Sequence, residues 1–497
     1  MSGFDRRSFL RRGAAATAGG FLSATALDRL HARSALAAAG PLGPAVGYGP
    51  PVRQADQLGR EILALPAGFS YVTFGETGST MSDGNTTPIA LDGMAAFAGP
   101  NGTVRLVRNH EDRNAPGAGT VGGDVAAKYD AAGGGGTSTL DYDPGTRRLV
   151  RDWISLNGST VNCAGGIGYG RASWITCEET VAGPSHENPD RRFPERHGYC
   201  FEVPLDRGPG ELAKVRPLTA MGRFAHEAVA VDQETGIVYL TEDPSTGRGA
   251  GFYRFLPEDR EDLARGGRLQ MLGVRGPQYD TREGQAAGRR LSVAWIDIAD
   301  PDPDYVNEDD PRGVFLQGFG AGGAKFNRLE GCWYDEGSVY FSATSGGDAK
   351  SGDVNADGYR EGYGQVWEHR PNARTGGILT LVFESPGREV LDSPDNLTVT
   401  PRGGLMLCED DAGVADADAD PLAPGIAQLN RLIGLTPEGQ AFPFAVNVLS
   451  DSELAGACFS PDGSTLFVNV LGETVTVPEP KAGMTCAITG RWDQGPL

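Results

Sequence analysis

The sequence predicts an all-β chain folded as a six-bladed β-propeller with long loops and insertions. Three observations predict it. Two short strand-like runs joined by a tight turn recur six times, at residues 91–112, 162–179, 226–243, 329–344, 395–410 and 453–470. A repeated antiparallel pair of this kind is the unit of propellers and arrays. The composition agrees: 73 glycines, 33 prolines and 8% aromatic residues suit many turns and short strands. Finally, the first five units are each followed by another strand, whereas the sixth is followed by a short tail. The units recur about every 60–70 residues, and about every 100 between the third and fourth, against ~40–45 for a WD40 blade, so each blade carries long loops.

Taken in order, residues 1–39 read as a twin-arginine export signal. DRRSFLRRG carries the paired arginines, an alanine- and glycine-rich run follows, and SALAAAG supplies a small-residue cleavage site. Asp28 and Arg29 interrupt the apolar stretch, and no later segment approaches ~18 uninterrupted apolar residues, so an exported protein, periplasmic or secreted, is expected. Residues 40–64 read as an extended Pro/Gly-rich approach, and 65–497 as the propeller, a catalytic domain. Residues 68–74 alternate like a strand without a hairpin of their own. They are expected to supply an outer strand to the last blade beside 464–469, closing the ring. Third strands are predicted at 136–143, 198–203, 251–257, 364–371 and 431–437. Residues 257–323 read as one long acidic loop with a helix-like start, PEDREDLARGG. DVNADG at 353–358 matches the start of a calcium loop but lacks its closing glutamate, and an Asx-rich turn is the alternative.

The formal net charge of −21 excludes nucleic acid and anionic membrane as natural partners. A small-molecule substrate and a monomer are expected. The polar residues locate the chemistry. In a hairpin, the start of the first strand and the end of the second share one edge. The starts are Asp92, Asn162/Cys163, His226/Glu227, Glu330, Asp395/Asn396 and Glu453; the ends are Glu111, Glu178/Glu179, Glu242/Asp243, Glu409/Asp410 and Asn469. In a closed ring both sets converge on one mouth of the tunnel. So many carboxylates repel one another unless cations lie among them, which predicts a multi-metal site.

Oxygen donors favour hard cations such as Ca²⁺, and Cys163 offers one sulfur for iron or zinc, or else packs as core. Cys177, Cys332, Cys408 and Cys458 are expected in the core. No paired-histidine zinc spacing and no G-x-S-x-G elbow occurs. His110 and His226 are expected to serve as hydrogen-bonding residues. Arg328 stands two residues before Glu330, where both side chains share a strand face. It is either a clamp for a phosphate or carboxylate substrate or a salt bridge to Glu330.

With RNHED, NCAGG…WITCEE, FAHEAVAV…VYLTED…GFYRFLP, RLEG, SPDNLTVTPRGGLMLCED and ELAGACFSPDGSTLFVN, the chain resembles the PhoX family of alkaline phosphatases. The resemblance implies a pair of Fe³⁺ ions and several Ca²⁺ ions at the tunnel mouth, and hydrolysis of phosphate esters. It implies iron ligation and catalysis by Cys163, Glu227 and Glu330, with Arg328 binding the phosphate. Calcium would be held among Glu178, Glu179, Asp243, Asn396, Glu409 and Glu453. The stretch 342–371 departs from the longer family members. Two other readings remain at this point: a calcium-dependent lactonase or esterase with one essential cation, and a non-catalytic propeller stabilised by calcium.

Overall fold

The computed structural model describes residues 46–497 except 213, 245, 411–421, 423, 424, 427 and 428. The expected export signal and most of the acidic stretch after Asp410 lie outside the described residues. Six innermost strands surround a tunnel: Leu91–Ala98, Asn162–Ile167, His226–Val231, Leu329–Asp335, Pro394–Val399 and Leu454–Phe459. Each packs against the next, and the sixth returns to the first, closing the ring. Each also pairs antiparallel with the strand that follows it in sequence, aligning its start with that strand's end: Leu91 with His110, Asn162 with Glu178, His226 with Glu242 and Pro394 with Glu409. The two sets of polar residues therefore do meet at one end of the tunnel. Alternate side chains from neighbouring blades fill the space between sheets, as in the stack of Phe252 on Phe341 between blades 3 and 4.

Closure uses one strand more than the sequence suggested. Ser70–Phe74 is the outer strand of blade 6, but it pairs with Met484–Thr489, which in turn pairs with Thr465–Val470. The tail after the sixth unit thus contributes a strand, MTCAIT, whose buried side chains include Met484, Cys486 and Ile488. The approach segment is sheet too: Pro51–Ala55 pairs with Glu61–Pro66, which joins the outer strand Ala441–Asn447 of blade 5.

The long insertion after blade 3 is likewise more ordered than a loop. Gly267–Val274 and Arg290–Asp297 extend blade 3, and the latter pairs with Ile378–Glu384 of blade 4, joining both blades in one nine-stranded sheet. PEDREDLARGG holds only a three-residue 3₁₀ turn, Leu263–Arg265, and the insertion's α-helix is Val314–Gly320. All seven cysteines are unpaired and buried, with Cys177, Cys332, Cys408 and Cys458 among apolar neighbours as expected. Among the described residues no helix is long and apolar enough to cross a membrane.

Candidate metal centre at the tunnel mouth

A sixfold backbone device builds the mouth. The residue just past each second strand donates its N–H to the carbonyl of the residue just ahead of, or one before, the inner strand. The pairs are Glu111 to Ala90, Glu179 to Val161, Asp243 to Ala225, Thr344 to Arg328, Asp410 to Ser393 and Leu471 to Glu453. Ala90, Val161, Arg328 and Ser393 hold φ of 56°, 49°, 43° and 45°. That is left-handed backbone, which costs a non-glycine residue roughly 1 kcal/mol or more and persists only where the surroundings impose it.

Shortly afterwards every inner strand slips register, between Leu91 and Met94, Asn162 and Gly165, His226 and Val229, Leu329 and Cys332, Pro394 and Leu397, and Ala455 and Cys458. A bulge re-aims a side chain out of the strand's alternation. In five blades the residue it re-aims is Asp92, Cys163, Glu227, Glu330 or Asp395, and all five line a cavity of about 270 Å³. In four of these five blades the residue after the bulged one is small, Gly93, Ala164, Ala228 or Gly331, with Asn396 in the fifth. A Cβ on Gly93 would lie 2.5 Å from Cα of Ala164, and one on Gly331 2.6 Å from N of Leu397. Below the mouth these small residues narrow the tunnel to a void of about 20 Å³, room for one water. A larger cavity of about 730 Å³ lies among the hairpin turns at the opposite end of the tunnel and shares none of the mouth carboxylates.

The sixfold pattern is broken where it matters. Blade 4 carries Thr344 where four other blades carry a carboxylate, and Arg328 where they carry Ala, Val or Ser. Blade 6 offers its carboxylate, Glu453, from the position of Arg328. The ring is therefore acidic, with one arginine entering from blade 4 and another, Arg113, from the loop between the second and third strands of blade 1. Arg328 spans Asp243 at 3.1 Å (Nε to Oδ1) and 2.7 Å (Nη2 to Oδ2), with Glu330 at 3.4 Å. Its closeness to Glu330 comes from the left-handed residue and the bulge, because the strand begins only at Leu329. Arg113 pairs with both Glu111 and Glu179.

Two guanidiniums do not balance the acids. Burial, reinforced by neighbouring carboxylates, pushes Asp92, Glu179, Glu227, Glu330 and Glu453 well above the usual carboxylate range, and Asp395 up to about 8. Burial and then Glu227 push the Cys163 thiol up as well. That thiol donates to Glu227 Oε2 at 2.6 Å, leaving Glu227 Oε1 buried without a partner. Three triads bring ligand atoms within 4.8 Å of one another: Cys163–Glu179–Glu227, Glu227–Glu330–Asp395 and Asp395–Asp410–Glu453. They share Glu227 and Asp395, so they form one continuous donor chain. Its hard oxygens and single thiol fit a cluster of cations in place of the missing positive charge.

Several expected ligands lie elsewhere. Glu178 accepts from the backbone of Thr160, Gly198 and Tyr199 and from His197 at 2.6 Å. Glu409 accepts from the backbone of Asp392 and Arg431 and holds the Arg431 guanidinium at 2.6 Å. Glu242 binds Gly251 N, Tyr253 and Arg248. These three face between blades, one pleat away from the mouth, with four hydrogen bonds on Glu178, four on Glu409 and three on Glu242. Asn396 accepts from Gly456 N and donates to Asp395, bracing the ring while Asp395 faces the cavity. His110 bonds Ile89 O and Ser138, and His226 bonds Gly222 O. In DVNADG, Asp357 accepts from Arg282, Lys325 and Tyr359 N, so this segment is a salt-bridged turn. Sequence reasoning passed over Arg113 entirely; its signal was the basic residue directly after the acidic pair in RNHEDR.

No curated protein matches the chain. Among solved structures, Pseudomonas fluorescens PhoX in complex with vanadate, a transition-state analogue, superposes with a TM-score of 0.64. The two are 18% identical, over 91% of this chain and 99% of that one. A gluconolactonase of Xanthomonas campestris gives 0.36 at 12% identity over 91% and 99%, and a protein of unknown function from Dyadobacter fermentans 0.42 at 10% over 86% and 100%. The family described as alkaline phosphatase PhoX matches residues 46–472, nearly the whole described chain. With the acidic ring and its arginine inside that match, the chain belongs to the PhoX alkaline phosphatase family.

Proposed function

We propose that the chain is a metal-dependent alkaline phosphomonoesterase whose reaction occurs in the tunnel mouth. The observation that carries the reading is the placement of Arg328 beside the shared triads. Cys163, Glu227 and Glu330 would hold an iron pair, and Glu179, Asp243, Asp395, Asp410 and Glu453 calcium ions. Bound cations supply Lewis-acid stabilisation of phosphoryl oxygens and a nucleophile at neutral pH. The residues do the remainder. Arg328, which lies on Asp243 and Glu330, would turn its fork onto two phosphate oxygens, its charge acting as negative charge grows on them. The narrowing beneath the ring leaves one entrance, so substrate and product use the same mouth. The twin-arginine leader supports a periplasmic or secreted enzyme.

The test combines elemental analysis with phosphate release from an aryl phosphate at alkaline pH with calcium supplied. Iron and calcium together with turnover are expected. Arg328→Lys keeps the charge and loses the fork, so turnover falls roughly 10²-fold with the metals kept. Metal-loaded wild-type protein that releases no phosphate would overturn the reading.

A further inference from the structure

The hairpin that sets blade 4 apart, Lys350–Val354 with Arg360–Gly362, stands over the root of Arg328. Asn355 in its turn donates to Asn327 Oδ1 at 2.7 Å. The buried Asn327 amide donates in turn to Ser345 Oγ at 2.8 Å and to Glu361 Oε1 at 3.2 Å on the hairpin's return strand. Every polar atom of Asn327's side chain is thus committed, and the next residue is the left-handed Arg328.

The same asparagine touches the other wall of the guanidinium's site. Backbone at Gly247, four residues beyond Asp243, passes so close that a Cβ there would lie 2.7 Å from the Asn355 Cβ. The loop carrying Asp243 and the segment carrying Arg328 therefore converge on one side chain. The hairpin is itself braced. Asp357 bonds Arg282 and Lys325 at 2.7 and 2.8 Å, and the Tyr359 hydroxyl donates to Arg282 O.

We infer that Asn355 and Asn327 are positioning residues that fix the segment leading into Arg328 and aim its guanidinium into the mouth. The inference rests on the phosphatase reading. Small displacements of a charged donor cost large factors in rate.

The test is a double-mutant cycle in the metal-loaded enzyme. Asn355→Ala is expected to lower kcat about tenfold and weaken calorimetric binding of inorganic phosphate by a similar factor, with metal content and melting temperature kept. In an Arg328→Lys background the same change should alter kcat less than twofold, because the fork it aims is gone. Lys350→Ala, on the same hairpin but tied to Glu283 and Gly347 O, should leave all these quantities unchanged. Equal losses from Asn355→Ala in both backgrounds, or no loss in either, would overturn the inference and leave the phosphatase standing. A wild type that releases no phosphate removes both.

Discussion

Glu178 and Glu179, Glu242 and Asp243, Glu409 and Asp410 are chain neighbours with opposite surroundings. The first of each pair is an anchor: it lies between blades, saturated by backbone N–H groups and a basic or hydroxyl partner. The second faces the mouth, where its neighbours are mostly other acids. One residue of strand pleat separates them. The anchors turn the negative charge inward into hydrogen bonds that fasten the start of the third strand and, through Thr160 and Asp392, the left-handed residues that follow. The mouth residues share only two guanidiniums, Arg113 on Glu111 and Glu179 and Arg328 on Asp243 and Glu330, and otherwise face one another. A rigid lower layer of satisfied acids thus holds an upper layer of unsatisfied ones in a geometry they would not choose, which is what preorganised cation binding requires.

The largest expected effect comes from breaking an anchor. Glu409→Ala leaves the buried Arg431 without its carboxylate, and a loss of about 3–5 kcal/mol in denaturant unfolding is expected. Its neighbour Asp410→Asn should leave unfolding of the chelated protein within about 0.5 kcal/mol while lowering the calcium retained after dialysis. Equal destabilisation by both would erase the distinction between the layers.

The anchor layer also carries a pH signature. Burial alone would lower the His197 pKa, but Glu178 and the hydrogen bond with Asp130 hold it up to about 9. A folded pKa above the unfolded value of ~6.5 stabilises the fold below pH 6.5, and that stability is lost as pH rises through 9. His197 should therefore make unfolding of chelated protein easier by about 3 kcal/mol across that window, and His197→Gln should remove that part of the slope, leaving the part due to the raised mouth carboxylates.

Gly331→Ala tests how closely the bulges pack. Its Cβ meets the backbone of blade 5, which no rotamer can relieve, so a loss of roughly 1–3 kcal/mol is expected, with cation content reduced as the ring spreads. The smallest effect is expected in the mouth itself. At pH 9, where Asp395 is ionised, Asp395→Asn removes one repelling charge and should stabilise chelated protein by about 1 kcal/mol, raising its melting temperature by about 1 °C, while lowering that of the loaded protein. A lower melting temperature in both states would mean that the mouth carboxylates are anchors too.

The hairpin repeat and the shared edge of the two polar sets were legible because strand alternation and turn chemistry are local. The motifs around Cys163, Glu227 and Glu330 were legible as a family resemblance. Which acid of EE or ED faces the mouth was not, because that depends on one pleat of register against a neighbouring strand. The preference for Asn396 over Asp395 failed for the same reason, since the bulge after Pro394 turns the first of the two inward. Strands 267–274, 290–297 and 484–489 escaped notice although each pairs with a near neighbour in sequence; the second partners of 290–297 and 484–489, Ile378–Glu384 and Ser70–Phe74, lie far along the chain. By itself, the sequence determined the number of blades, the edge at which the acids gather and the residue types available there. Only the tertiary structure decided which acids are satisfied and which are left to cations. Hydrogen-bond partners for Glu178 and Glu409 come from loops and strands that folding alone brings together, and Arg328 meets Asp243 only because folding sets blades 3 and 4 side by side.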